Sequence, residues 1–394
     1  MMLELAQYDM SPERGFLCRH NPNEVILRGG LSKISDIAMA LPDLLPTGRI
    51  RQLLQDRLPF IDLPLADMND AEVRMCMVHY AFMVQAYVWG EPEAPNVLPR
   101  NLAVPIVALA DHLSQQPLLP YSGYVLDNWG LIDKGGAIDL DNIYMIQNFL
   151  NGQDENWFVL VHVAIEAAAG AALAKFGPII DASNSGDVAT TCSLLEDVNK
   201  TWAKINAIFD RMPERCDPYV YFERVRPYIH GWKGNPATPN GIIYEGVDRY
   251  GTEGQAFRGQ TGSQSSIVPA MDALMNVGHA ADPLREYLDQ LHIYRPPSHR
   301  RFIEDTRTTS QLRSFVEQSQ DHKLTQAYNS IIQAMADFRT RHLEYAANYI
   351  NKQNRAGSGN DTDVGTGGTP FMRYLKKHRD ETSARLIENV SGTA

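Results

Sequence analysis

Two histidines lie where helices of this chain would ordinarily place apolar core residues. His342 follows Phe338 by four residues and precedes Tyr345 by three, on the apolar stripe of a helix predicted over 322–352. His162 lies on the apolar face of a second predicted helix. An imidazole that points into a helical core can bind haem iron or another metal ion.

The alternative for both histidines is a structural role without a ligand. A single histidine on an apolar face is usually a core residue whose ring nitrogens bond to backbone or side-chain groups. The spacing of His162 and His342 alone is compatible with both interpretations.

Helical periodicity dominates the elements that would position these residues, and strand signals are sparse, which predicts an all-α protein. The polar stretch 151–156 predicts a boundary between a small, mainly helical N-terminal domain, 1–150, and a large helical domain, 151–394. The predicted helices span 32–44, 47–54, 70–88, 104–115, 140–150, 157–176, 193–211, 266–275, 283–291, 309–318 and 322–352.

Composition and charge exclude some classes of function. A net charge of -11 argues against a nucleic-acid partner, because no concentrated basic stripe exists to neutralise phosphates. The four cysteines form no C-x-x-C pair, so neither a zinc knuckle nor a redox dithiol is expected. The first twenty residues mix acidic and apolar side chains, unlike a signal peptide, and the expected location is the cytoplasm.

The apolar run 157–177 has about the length of a membrane span. It carries His162, Glu166 and Lys175, and ionisable groups near its middle would be costly in lipid. The run is therefore predicted to be a buried central helix, and no membrane partner is expected.

Three further segments have residue types suited to a ligand pocket. Aromatic residues interleave with arginine at Tyr221, Phe222 and Arg226, where a guanidinium could clasp a carboxylate beside an apolar wall. The alternative is a surface arginine beside core aromatics. The aromatics of 121–129 could line a pocket or simply pack, and the glycine-rich stretch within 353–369 is typical of a mobile lid or a flexible linker.

Several long strings, in order, resemble the indoleamine 2,3-dioxygenase family from about residue 95 to residue 376, with the N-terminal part weaker. They are NLAVPIVALA (101–110), LLPYSGYVLDNW (118–129), IEAAAGAA (165–172), RPYIHGWKGNP (226–236), IIYEG (242–246), GSQSS (262–266), YRPPSHRRF (294–302), RTRHLEYAANYI (339–350) and GTGGT (365–369).

The resemblance implies an all-α, two-domain haem protein whose pocket lies between the domains and is formed mainly by the larger one. Members of the family bind dioxygen on ferrous haem b and insert both oxygen atoms across the indole C2–C3 bond, giving N-formylkynurenine from L-tryptophan. The implied partners are L-tryptophan or a related indoleamine, dioxygen, and an electron donor that keeps the iron ferrous.

Individual roles follow from the matched positions. The resemblance implies that His342 is the proximal iron ligand and that Arg226 clasps the substrate carboxylate. Arg339 is the implied partner of a haem propionate, and Asp272 lies where the family ties down a nearby arginine or propionate. The remaining implied pocket residues are the aromatic walls Phe158, Tyr121, Tyr221 and Phe222, Gly262 of the loop over the haem, and Thr366 of the mobile loop.

This chain departs from the family at His162, the candidate catalytic residue. Animal members carry a serine there, whereas the related tryptophan 2,3-dioxygenases carry a distal histidine. The imidazole could hydrogen-bond the indole N–H, act as a base, steady bound dioxygen or ligate iron. Tyr221 also replaces a phenylalanine.

The leading hypothesis is a haem dioxygenase in which His162 tunes substrate binding. A haem- or dioxygen-binding relative that acts on an indole without ring cleavage, or an oxygen carrier, is the alternative, and a helical scaffold without a cofactor is a third. Arg226 and Thr366 favour the dioxygenase, because a carrier has no use for a carboxylate clamp.

Overall fold

The computed structural model describes residues 3–281, 283–353, 366 and 371–388. Within these residues the chain is all-α, as predicted. The helices are α1 (Ser32–Met39), α2 (Leu41–Leu44), α3 (Ile50–Arg57), α4 (Asp70–Trp89), α5 (Arg100–Leu113), α6 (Gln153–Leu173), α7 (Phe176–Asn184), α8 (Val188–Phe209), α9 (Pro218–Val220), α10 (Ile267–Leu274), α11 (Pro283–His292), α12 (Pro297–Thr309), α13 (Leu312–Ser319), α14 (His322–Tyr349) and α15 (Phe371–Ser383).

Short strands complete the described part of the chain. They are β1 (Val97–Leu98), β2 (Gly130–Leu131), β3 (Ile143–Tyr144), β4 (Ile242–Tyr244) and β5 (Gly254–Gln255). One sheet has the order β1-β4-β5, with β1 parallel and β5 antiparallel to β4, and β2 pairs antiparallel with β3. Strands this short fasten loops to the helical core rather than form a layer of their own.

The two helices that carry the histidines form where the periodicity predicts them. The Asp321 side chain caps α14 by accepting a 2.8 Å hydrogen bond from the Leu324 N–H. The helix then runs without interruption to Tyr349, so His342 lies in its last third. Helix α6 begins at Gln153, four residues before the predicted start, and holds His162 near its middle.

The stretch Gln153–Asn184 is the one segment of the described chain whose length and composition would suit a membrane span, with a mean hydropathy of 1.8. In the structure, 72% of its most apolar window is buried inside the protein. The apolar character of α6 is therefore satisfied by neighbouring helices, which agrees with the predicted buried central helix.

The prediction of a helix over 140–150 is wrong. Ile143 pairs with Leu131 in the β2–β3 ladder instead. The Asn142 side chain accepts from the Asp133 N–H at 2.7 Å, and the Asn128 side chain accepts from the Gln147 N–H at 2.8 Å. The asparagine side chains accept from backbone N–H groups that would otherwise donate within a helix. This competition disfavours asparagine inside helices.

Two helices near the site, α12 and α15, were missed by the sequence analysis. Prolines such as Pro296 and Pro297 usually separate elements rather than belong to a helix. Pro297 is instead the first helical residue, a position where the missing proline N–H costs nothing. Of the predicted mobile loop 353–369, only Gln353 and Thr366 belong to the described residues; the rest lies outside them.

The N-terminal segment lies against α6 through close backbone contacts at two glycines. A Cβ atom added to Gly170 would come within 2.4 Å of the Pro12 carbonyl oxygen. Gly15 has a φ of +57°, and a Cβ there would meet the Glu166 carbonyl oxygen at 2.1 Å. Only glycine at both positions allows this approach.

The hydrophobic core continues across the predicted boundary at residue 150. A single cluster of buried apolar side chains includes Leu3 and Phe82 before the boundary and Ile165 and Tyr328 after it. The division of the chain into 1–150 and 151–394 stays a prediction.

Candidate active site

A cavity of about 610 Å³ lies among α6, α8, α10, α14 and the loop before α10. Its volume falls within the roughly 300–1,000 Å³ typical of small-molecule and cofactor sites. Phe222 and Arg226 are the predicted site residues that do not line it. The predicted residues that do line it are Tyr121, Phe158, His162, Tyr221, Gly262, Asp272, Arg339, His342 and Thr366.

His342 presents a neutral imidazole to this cavity. Its ring lies edge-on to that of Phe209, with 6.4 Å between the ring centroids. In the described part of the chain, neither ring nitrogen of His342 takes a hydrogen-bond partner. Burial, with the proximity of His162 and Arg339, lowers the pKa of His342 to about 4. At pH 7 the ring therefore offers a lone pair that none of the described residues uses.

His162 is held in one orientation by its own helix. Its Nδ1–H donates a 2.7 Å hydrogen bond to the Phe158 carbonyl oxygen, one turn earlier in α6. Because a carbonyl oxygen can only accept, Nδ1 carries the proton and Nε2 keeps its lone pair in the neutral ring. Burial lowers the pKa of His162, which favours that neutral form.

Aromatic rings form one wall of the cavity around His162. The Phe158 ring lies 4.7 Å from Tyr221 and 4.8 Å from His162, measured between ring centroids. Tyr121 lies 6.2 Å from His162 in an edge-to-face arrangement. Burial raises the pKa of Tyr221 to about 12, so its hydroxyl stays protonated at neutral pH. The wall suits a flat, apolar ligand with room for a polar atom near His162.

Glu166 is a buried acid one helical turn beyond His162. Its Oε1 accepts hydrogen bonds from the Tyr121 hydroxyl at 2.8 Å and from the Ser265 hydroxyl at 2.7 Å. Burial raises the pKa of Glu166 to about 7, although both hydroxyl donors and the Arg295 charge oppose that shift. The carboxyl group thus joins α6 to the aromatic wall and to the loop before α10.

We expect the Glu166→Gln substitution to make the free energy of unfolding depend less strongly on pH. A carboxyl whose pKa rises from 4.5 in the unfolded chain to about 7 in the fold stabilises the protein fully below pH 4.5. That contribution is lost as the pH rises through the folded-state value. Between these limits, the unfolding free energy of the unaltered protein should fall by roughly 3 kcal/mol more than that of the variant.

Urea titrations of both proteins at a series of pH values measure this difference. Glu196→Gln, on an exposed face of α8, is the matched control and should follow the unaltered protein. Parallel pH profiles for Glu166→Gln and the unaltered protein would show that Glu166 is ionised in the fold throughout this range.

The loop before α10 is fastened over the cavity by side chains from three directions. The Tyr121 N–H donates to the Gln264 side chain at 2.9 Å. Arg295 Nη2 donates to the Ser263 carbonyl oxygen at 2.7 Å, and the Thr366 hydroxyl donates to the Gln260 carbonyl oxygen at 2.6 Å. These bonds hold Gly262 at the cavity lining.

Asp272 and Arg339 form a buried ion pair at another edge of the cavity. Arg339 Nη2 lies 2.7 Å from Asp272 Oδ2, and a second guanidinium nitrogen donates to the Thr382 hydroxyl of α15. Burial alone would raise the pKa of Asp272, but the Arg339 guanidinium and His279 bring it down to about 2. The pair therefore keeps a fixed cation beside the cavity at neutral pH.

Arg226 lies behind the aromatic wall rather than in the cavity lining. Its side chain is fully buried, and its guanidinium carbon lies 5.4 Å from the centroid of the Phe222 ring. Burial and the nearby Arg226 charge lower the pKa of His230 to about 3, so that ring is neutral. A ligand carboxylate would reach Arg226 only if Tyr221 or Phe222 moved.

Sequence reasoning missed Glu166, Ser265 and Arg295 as site residues. An acid within the apolar string 165–172 was the available signal for Glu166, since a carboxyl group there must find buried donors. Arg295 and Ser265 act through backbone and side-chain bonds to a loop, which residue spacing does not reveal.

Comparisons with known proteins match almost the whole chain. The family model described as Indoleamine 2,3-dioxygenase matches residues 4–385. Indoleamine 2,3-dioxygenase 2 of Mus musculus is 31% identical over 396 residues, covering 98% of this chain and 96% of the mouse protein. The indoleamine 2,3-dioxygenase of Saccharomyces cerevisiae is 30% identical over 427 residues, covering 96% of this chain and 93% of the yeast protein.

Proposed function

The chain belongs to the indoleamine 2,3-dioxygenase family, and on that premise we propose that it cleaves the indole C2–C3 bond of L-tryptophan or a close indoleamine. The product is of the N-formylkynurenine type. The proposal includes haem b as cofactor, a reductant that keeps its iron ferrous, and a cytoplasmic location.

The residues around the cavity fit a haem. The observation that carries the proposal is the His342 imidazole, which is neutral and, among the described residues, takes no hydrogen-bond partner. Neutral imidazole is the form that binds haem iron. The Arg339 guanidinium, held by Asp272, supplies a cation for a propionate at the edge of the same cavity.

When bound, haem supplies the iron at which dioxygen is activated, and the protein supplies orientation and a dry pocket. Phe158, Tyr121 and Tyr221 offer flat apolar surfaces against which an indole ring packs. The loop held by Gln264 and Arg295 limits the entry of water from one side.

His162 is suited to accept a hydrogen bond from the indole N–H. Its Nδ1–H is already committed to the Phe158 carbonyl oxygen, so the neutral ring has only the Nε2 lone pair to offer. The depressed pKa keeps that lone pair free of a proton at neutral pH. His162 therefore orients the substrate in this proposal.

The amino-acid end of the substrate requires a fixed cation and a closing contact. Arg226 is the cation behind the aromatic wall, and Thr366 is the contact above the cavity. Thr366 is joined to two other segments, since its hydroxyl bonds to Gln260 and its carbonyl oxygen accepts from the Gly231 N–H at 3.3 Å. If bound tryptophan displaced these hydrogen bonds of Thr366, its binding would depend on the position of the segment that carries Thr366.

The test is turnover by the haem-loaded full chain. The protein is reduced, supplied with ¹⁸O₂ and L-tryptophan, and the product is analysed by mass spectrometry. Formylkynurenine that carries both labelled oxygen atoms is the expected result. A stable Soret band without product would instead identify a haem-binding relative that does not cleave the ring, and failure to take up haem would contradict the proposal at its base.

Replacing His162 with serine or alanine should weaken substrate binding without abolishing turnover. The loss of one hydrogen bond of about 0.5–1.5 kcal/mol corresponds to an increase in KM of up to roughly tenfold. Steady-state kinetics with L-tryptophan and with 1-methyltryptophan, which lacks the indole N–H, measure the effect. The methylated substrate should be insensitive to the substitution.

A different role for His162 would produce a different kinetic pattern. General-base catalysis contributes roughly 10²–10⁴-fold to a rate. A fall of kcat to less than about a thousandth of the unaltered value would therefore assign His162 to proton transfer and contradict a positioning role.

A further inference from the structure

Three potential metal ligands meet beside the Asp272–Arg339 pair. His279 follows α10, and His378 and Glu381 are one turn apart on α15. One ligand atom from each residue lies within 4.8 Å of the others. The two imidazole rings are 4.4 Å apart between centroids. The cluster thus joins two elements that are about 100 residues apart in sequence.

His279 is oriented by a carboxylate, as metal-bound histidines usually are. Its Nε2 lies 3.2 Å from Asp272 Oδ2, the oxygen that also accepts a hydrogen bond from Arg339 Nη2. A carboxylate oxygen can only accept, so a metal-bound His279 would keep its proton on Nε2 and donate it to Asp272. The other ring nitrogen, Nδ1, then points at Glu381 Oε2, only 2.6 Å away.

The contact between His279 Nδ1 and Glu381 Oε2 is short enough to need a proton or a metal ion between the two atoms. A neutral His279 with its proton on Nε2 would bring a lone pair against a carboxylate oxygen. Either a second proton or a metal ion can stand between Nδ1 and Oε2. A second proton would leave His279 as an imidazolium between two carboxylates.

His378 distinguishes these two possibilities. Its Nε2 is buried and finds no hydrogen-bond partner among the described residues. A proton on His279 does nothing to satisfy this nitrogen, whereas a metal ion would take its lone pair.

We propose that His279, His378 and Glu381 bind a divalent transition-metal ion, with Zn²⁺ as the best match. Two imidazole nitrogens and one carboxylate oxygen are a familiar zinc ligand set, with the fourth position left to water. With bonds of about 2.0–2.1 Å, tetrahedral ligand atoms lie roughly 3.4 Å apart. Glu381 Oε2 therefore moves away from His279 Nδ1 by less than about 1 Å, which rotation of a glutamate side chain provides.

The ion would fasten α15 beside the cavity, whose lining includes His279 and His378. Helix α15 follows residues 354–370 and carries Thr382, which bonds to Arg339. A metal ion between His279 and α15 adds a second fastening beside that contact.

Metal content and affinity test the site in the untagged, haem-loaded full chain. After treatment with a chelator, the protein is incubated with Zn²⁺, gel-filtered and analysed by elemental mass spectrometry, and its affinity is measured by competition with a chromogenic chelator. One Zn²⁺ per chain is expected. His378→Ala and Glu381→Gln should each weaken binding by at least about tenfold. His112→Ala, which removes an exposed histidine from α5, should leave binding unchanged.

Two results would overturn the proposal. Zn²⁺ that is absent from the unaltered protein would identify the cluster as an imidazolium between two carboxylates. Zn²⁺ retained equally by the His378→Ala/Glu381→Gln double variant would place the ion elsewhere.

A spectroscopic measurement keeps the test independent of how well the variants fold. The zinc K-edge absorption spectrum of the unaltered protein should show imidazole scattering with bonds at about 2.0–2.1 Å. A first shell of sulfur, or of oxygen alone, would contradict the assignment.

Discussion

The His342→Ala variant is expected to lose haem and, with it, essentially all dioxygenase activity. Among the described residues His342 has no hydrogen bond to lose, so its removal should leave the helix and its packing intact. After reconstitution and gel filtration, we expect the variant to retain less than about a tenth of the haem of the unaltered protein. Visible spectra and haem extraction measure this loss, and circular dichroism reports the fold.

A matched control and a chemical rescue separate ligation from structure. His322, at the exposed beginning of the same helix, is replaced with alanine as the control and should retain full haem content. In a His342→Gly variant, added imidazole should enter the space left by the side chain and restore a Soret band. Full haem retention by His342→Ala, or an absence of rescue in a well-folded glycine variant, would argue against His342 as the iron ligand.

The Arg226→Ala variant is expected to lose activity toward substrates that carry a carboxylate. Removing one partner of a buried charged hydrogen bond costs roughly 2–5 kcal/mol. That range corresponds to a decrease of about 30-fold to several thousand-fold in kcat/KM for L-tryptophan. Tryptamine, which lacks the carboxylate, should be affected much less because it offers Arg226 nothing to bind.

The comparison of the two substrates makes the result specific. Arg226→Lys keeps the charge but not the bidentate fork, and should fall between the alanine variant and the unaltered enzyme. Arg224→Ala removes an exposed arginine two residues away and should leave kcat/KM unchanged for both substrates. Equal losses for tryptophan and tryptamine would mean that Arg226 supports the packing of Phe222 and not the substrate carboxylate.

The variants of Arg226 also test a movement that the structure requires. The guanidinium is fully buried behind Phe222, outside the cavity lining. If Arg226 holds the substrate carboxylate, as proposed, part of the aromatic wall must be displaced first. Tyr221 lies in a π-helical turn, Tyr221–Val225, and such turns occur frequently at functional sites.

Sequence periodicity was sufficient to predict the helices that hold the two histidines. Both α6 and α14 keep apolar side chains at a helical repeat, which makes long amphipathic segments easy to recognise. Periodicity failed over 140–150, where asparagine side chains take the backbone hydrogen bonds that a helix would need. It also failed at α12, which begins at a proline. The chemistry of individual side chains determines the structure of both segments, and the spacing of hydrophobic residues does not reveal it.

The polar part of the site depended on contacts distant in sequence. The family resemblance indicated Asp272 and Arg339, and the structure joins them as an ion pair 67 residues apart. Glu166 and Ser265 are 99 residues apart, and neither suggests the other in isolation. A buried carboxyl group needs donors, but the sequence does not say which loop will bring them.

The glycine contacts of the N-terminal segment have a consequence for the order of folding during synthesis. Gly15 leaves the ribosome before α6 does, yet in the fold it lies along α6, against the backbone around Gly170. At about 5–20 residues per second, some 10–30 seconds pass before that surface exists. The segment around Gly15 must remain undocked until then. Its docking therefore follows the synthesis of α6, the helix that carries His162.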